Sequence, residues 1–127
     1  MTRQEIRVPG RPVLSHAADA VRAAGYLFVA GLLPVDQDGA LVGGGDVVAQ
    51  ADHVLRDLGA VLEAGGCSFA DVTKLSVYLT DVGDRAAINP LRQRAFAAAR
   101  PASTLVGVSA LAIPGARIEI DAIAVVP

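Results

Sequence analysis

Ile118-Glu119-Ile120-Asp121-Ala122-Ile123-Ala124-Val125 is an almost unbroken run of isoleucine, alanine and valine, interrupted only by two carboxylates. Such a run suits a β-strand enclosed on both faces better than one half open to water. A strand of this kind needs neighbours on either side and cover on both faces, so packing beyond a single copy of the chain is expected. Just upstream, Ile113-Pro114-Gly115 reads as a turn. It joins a strand predicted over Ser103 to Ala110 to the last strand, predicted over Ala116 to Val125.

The rest of the chain supplies the neighbours. Gln4 to Val8 alternates weakly and stops at Pro9-Gly10, and Tyr26 to Ala30 is an aromatic and β-branched run closed by Gly31. Asp36 to Gly39 reads as a hairpin-like turn, and Gly43 to Gly45 as plain loop, since it lacks the spacing and the Lys-Ser/Thr ending of a phosphate loop. From Asp46, Val47, Ala51, Val54, Leu55, Leu58, Val61 and Leu62 recur at helical spacing, with Asp46 as N-cap and Gly65-Gly66 as the stop. Gln50, Asp52, His53, Arg56, Asp57 and Glu63 are assigned to the face of that helix in water. Val72 to Thr80 alternates as a strand, with Val72, Lys74, Ser76 and Tyr78 on one side and Thr73, Leu75, Val77 and Leu79 on the other. Pro90 predicts a break in the second helical region, with Asn89 as N-cap and Pro90 at the first helical position. The strand and helix order gives an α+β fold with both helices on one face of the sheet, in one domain spanning residues 1–127.

Composition narrows the function. A chain of 127 residues that is 53% hydrophobic holds a real core. Eleven basic against thirteen acidic side chains leave a net charge of −2, with no basic stripe and no interleaved aromatics, so no nucleic-acid partner is expected. The lone Cys67, with His16 and His53, makes neither a disulfide nor a metal-ligand pattern, and no metal or cofactor is expected. Cys67 has no basic neighbour in sequence to make it a thiolate and is expected to be inert. Charges near the N-terminus argue against a signal peptide, and no stretch nears the ~20 apolar residues of a membrane span, so a cytoplasmic protein with no membrane partner is expected.

Gly31 with Pro34, Gln50, the Gly65 to Val72 segment, Lys74, Asn89, Pro101-Ala102 and Ile118 to Ala124 together resemble the RidA/YjgF family of reactive-intermediate deaminases over nearly the whole chain. The resemblance implies a sheet like that of bacterial chorismate mutase with two helices on one face, and a homotrimer with a central barrel and ligand clefts between subunits. It implies a small-molecule ligand and places Glu119 as the catalytic group. Gly31, Leu32, Ala17, Asn89, Ser103, Thr104 and Leu105 would line the substrate site. Family members read Pro-Ala-Arg-Ser where this chain reads Pro101-Ala102-Ser103-Thr104, and the family's arginine holds a substrate carboxylate. A serine hydroxyl offers one neutral donor in place of a charged planar fork. Ala17, Leu32 and Leu105 are also blander than the family's usual residues.

From this pocket follow an up-shifted Glu119, a preference for neutral and more apolar ligands, and hydrolysis of an imine or enamine or a Glu119-assisted proton transfer. Arg100, or Arg92 and Arg94 from the preceding helix, are the arginines able to reach toward Ser103, and His16 is a polar group beside Ala17. The alternatives are a Glu119 that merely pairs with Arg117 or with a neighbouring subunit's cation, and a non-catalytic trimer that binds ligands or proteins.

Overall fold

The structure is a computed structural model that describes residues 2–127. The isoleucine-rich strand β6 (Ile118–Val125) lies inside a sheet whose strand order is β1-β2-β3-β6-β4-β5. The other strands are β1 (Gln4–Ile6), β2 (Ala20–Ala23), β3 (Tyr26–Leu32), β4 (Val72–Leu79) and β5 (Ala102–Gly107). All neighbours run antiparallel except β4 and β5, which are parallel and joined through a helix. Helix α1 (Val47–Ala64) packs on β3 and β6 and against helix α2 (Arg85–Phe96). One core cluster contains Leu27 and Leu32 of β3, Leu75 and Val77 of β4, Ile118 and Ile120 of β6, Leu58 and Val61 of α1, and Ile88 and Phe96 of α2. Both helices therefore cover the same face, as expected of the α+β order.

The central barrel implied by the resemblance is not there. The sheet is open, with the three-residue β1 at one edge and β5, paired only to β4, at the other, and it is not closed into a barrel. Nor is β6 enclosed on both faces within one chain. Ile118, Ile120, Ala122 and Ala124 are buried, while Glu119, Asp121 and Ile123 are half-buried and Val125 is exposed.

Sequence pattern missed β2, a strand of only four residues. It pairs with β3 across Ala24-Gly25, whose φ values of 55° and 82° make the two-residue turn that matches strand twist. β1 ends at Ile6 and β5 at Gly107, both short of expectation, because the ladders end there. Two bulges shift the in-out alternation. One between Val72 and Lys74 turns Val72 into the core with Leu75 and leaves Thr73 outside, reversing the assigned faces at that end. The other lies between Val29 and Leu32 and is taken up below.

Helix α1 begins and ends as the sequence indicates. Asp46 accepts hydrogen bonds from the amides of Val48 and Ala49, and Gly66 adopts φ 83° beyond the last turn. Gln50 is not in water, however. It is fully buried, donates from Nε2 to the carbonyls of Gly44 (3.0 Å) and Gly115 (3.1 Å), and accepts from the Arg117 amide (2.8 Å). These bonds fasten two loops to the helix and satisfy a side chain that would otherwise be costly to bury.

Helix α2 does not break at Pro90. A 3-10 turn, Val82–Asp84, leads straight into it, and Pro90 sits in its interior with Asn89 one position before. The missing N–H leaves the Ala86 carbonyl without its helical donor, a cost that is lower at an exposed residue such as Ala86 than in the core. No helix among the described residues is long and apolar enough to cross a membrane.

Candidate functional site

The sheet divides the candidate residues between its two faces. Along β5, Ser103 and Leu105 stand beside Leu75 and Val77 of β4 and so face α2, whereas Thr104 stands beside Ser76 on the uncovered face. There the Lys74 ammonium donates to Thr104 Oγ1 at 2.5 Å. Glu119 lies opposite Tyr78 on that uncovered face.

Glu119 and Gly31 form the first half of the site. The bulge in β3 puts Ala30 and Gly31 outside and returns Leu32 to the core, where it is 1% exposed. Leu32, expected in the ligand pocket, therefore packs inside the protein. A Cβ at residue 31 would lie 2.1 Å from Glu119 Oε2, so only glycine leaves room for the carboxylate over this backbone. Burial, reinforced by the neighbouring Asp121 charge, pushes the Glu119 carboxyl above its usual range. The direction agrees with expectation, but Leu32 and Leu105 are not the cause. Pairing with Arg117 does not occur, since that guanidinium binds Asp84 at 2.7 Å and the Gly45 carbonyl at 2.7 Å. Asp121 accepts from the Tyr78 hydroxyl at 2.9 Å, which ties it down and leaves Glu119 as the free carboxylate of the pair.

A cleft of about 870 Å³ between α2 and β5 forms the second half. Asn89, Ser103, Leu105 and Arg100 line it, together with Arg85 and Arg92. Arg92 donates from Nη2 to Asn89 Oδ1 (2.6 Å) and from Nη1 to Ser103 Oγ (3.4 Å), while its Nε–H is buried without a partner. Desolvation, with Arg85 adding to it, pulls the Arg92 pKa below its ordinary value. Among the arginines named as able to reach Ser103, Arg92 and Arg100 line the cleft, while Arg94 lines a separate depression with Phe69.

Sequence reading left Arg85 out altogether. Its signal was there: Arg85, Asn89, Arg92 and Phe96 are spaced four, three and four residues apart, one stripe of a helix. The expected break at Pro90 hid it.

His16 and Ala17 border neither half directly. They line a depression beside Phe28 and Ala30, next in sequence to Gly31, and the Ala17 carbonyl accepts from Arg7 at 2.9 Å. Cys67 is buried, and burial raises its thiol pKa, with Asp71 adding to the shift.

Known proteins resemble the chain throughout. Residues 11–126 match the family described as Endoribonuclease L-PSP. Protein DfrA of Myxococcus xanthus is 45% identical over 105 residues, which are 83% of this chain and 79% of that protein. The 2-iminobutanoate/2-iminopropanoate deaminase of Capra hircus is 38% identical over 109 residues, 85% of this chain and 78% of that one. Among solved structures, E. coli TdcF with bound serine superposes with a TM-score of 0.86 at 29% identity, covering 96% of this chain and 98% of that one. With its sheet, its paired helices and nearly its full length matched, the chain belongs to the Endoribonuclease L-PSP family, the RidA/YjgF proteins.

Proposed function

We propose that this protein hydrolyses the C=N bond of a small imine, or of the enamine in equilibrium with it, to a carbonyl compound and ammonia, with Glu119 as general base and then acid. The observation that carries it is a half-buried carboxylate, up-shifted and without a cationic partner among the described residues, lying against the bare backbone of Gly31. Glu119 takes a proton from water as its oxygen adds to the imine carbon, and returns it to the departing amine. A carboxyl group raised toward neutrality suits both steps. The deaminase relative, named for 2-iminobutanoate and 2-iminopropanoate, supports the reaction class.

The complete site is assembled between copies of the chain in a homotrimer. Supporting this, Ser103 and Leu105 of β5 face α2, which carries Asn89, while Glu119 and Gly31 lie on the opposite side of the same sheet. The uncovered face also displays Tyr26 and Phe28, 44% and 45% exposed, with ring centres 6.1 Å apart and planes tilted by 43°, which a neighbouring copy would bury. Thr104 lies on the Glu119 side of this arrangement and would border the ligand from there, with Ala17 and His16 at the margin beside Ala30.

The direct test supplies 2-iminobutanoate, generated in place, to the protein and to Glu119→Gln. The protein is expected to accelerate ammonia release, and the variant to lose about 100-fold or more of that acceleration. Equal rates for the two would remove Glu119 from the chemistry. No acceleration by either, with ligand still bound, would favour the non-catalytic binding role.

A further inference from the structure

The α2–β5 cleft concentrates positive charge that no acidic group among the described residues neutralises. Arg85, Arg92 and Arg100 all line it, no Asp or Glu does, and the ion pairs of the described residues engage other arginines. This occurs in a chain whose net charge is −2, so the cluster is local. Arg92 is the most committed of the three. It is partly withdrawn from water, its Nε–H is buried and unpartnered, and Asn89 and Ser103 fix the direction of its head. A desolvated guanidinium without a counter-ion is unfavourable, and a bound anion would relieve it.

The geometry of the donors narrows the ligand. Asn89 and Ser103 use one N–H on each Nη, which leaves one on each for a ligand, the pattern that holds the two oxygens of a carboxylate. Ser103 is short enough to leave space in front of that fork. Leu75, Phe96 and Leu105 give the cleft an apolar wall, suited to a short hydrocarbon side chain.

We propose that Arg92, reaching in from helix α2, is the anchor for the carboxylate of a small 2-oxo or 2-imino acid, with Arg85 and Arg100 strengthening the field. The expectation of neutral ligands, which followed from the serine at position 103, is thereby reversed: positive charge lost from strand β5 is supplied from the facing helix. The imino-acid identity of the ligand rests on the function proposed above, whereas carboxylate binding stands on the cleft itself.

The test is calorimetric titration of the intact protein with 2-oxobutanoate and with its neutral amide, 2-oxobutanamide, repeated on Arg92→Met and Arg92→Lys. Imine hydrolysis is measured alongside. The unaltered protein is expected to prefer the acid. Arg92→Met should weaken acid binding by about 10- to 100-fold, the range for loss of a charge-assisted pair of hydrogen bonds, with Arg92→Lys in between and amide binding the same in all three. In hydrolysis the Met variant should raise KM more than it lowers kcat.

Equal affinity for acid and amide in the unaltered protein would overturn the anchor without reliance on any variant. So would unchanged acid binding by Arg92→Met. The two proposals fail separately: Arg92-dependent binding without turnover keeps the anchor and removes the reaction, while Glu119-dependent turnover indifferent to Arg92 does the reverse.

Discussion

At the scale of single residues, burial beside Asp121 holds the Glu119 carboxylate at a cost in stability. Its raised pKa means that the folded chain binds this proton more tightly than the unfolded chain does. That contribution is present below the ordinary carboxylate range and is lost as pH rises through the raised value. Glu119→Gln cannot ionise, so it is expected to melt at a higher temperature than the unaltered protein near pH 8, with the gap closing as pH falls below about 4. Thermal melts across that range check it, and a variant less stable at pH 8 would contradict the direction. Glu119 was legible from sequence because a glutamate inside an isoleucine run is conspicuous. Its surroundings were not. Leu32 was assigned to the pocket on the family pattern, and only the β3 bulge, which leaves no clear mark in Val29-Ala30-Gly31, returns it to the core.

At the scale of elements, periodicity found every segment long enough to show a period and failed where one residue resets it. Helix α1 was readable from its caps and stripe, yet Gln50 falls on that stripe, between Val47 and Val54, and only its polarity placed it in water. The sequence divides helix α2 at Pro90 because proline is costly inside helices, but here the carbonyl left without a donor belongs to Ala86, an exposed residue. That cost remains in the fold. Pro90→Ala is expected to stabilise the protein by about 1–2 kcal/mol, the restored helical bond being offset in part by the freer unfolded chain. Denaturant unfolding measures it, and a loss of stability would mean that the proline ring is packed rather than tolerated. The misplaced break is also what concealed the line from Arg85 to Phe96, and with it half of the site.

At the scale of the whole molecule, one sheet separates two incomplete sets of functional groups. The covered side offers a cationic cleft, and the uncovered side offers a carboxylate and a glycine backbone. Neither set alone both anchors a small anion and moves a proton. In the proposed trimer, of mass near three times 13.0 kDa, each site draws one set from each of two neighbours. The most direct measurement mixes Glu119→Gln, which lacks the proton-transfer group, with Arg92→Met, which is impaired at substrate concentrations far below its raised KM, under conditions where subunits exchange, and follows hydrolysis of 2-iminobutanoate at such a low concentration. Hybrid trimers should recover activity toward roughly a quarter of sites, since random assembly pairs an intact Glu119 with an intact Arg92 that often. If exchange is complete and the mixture is no more active than its components, the two halves do not come from different copies and the shared site is wrong.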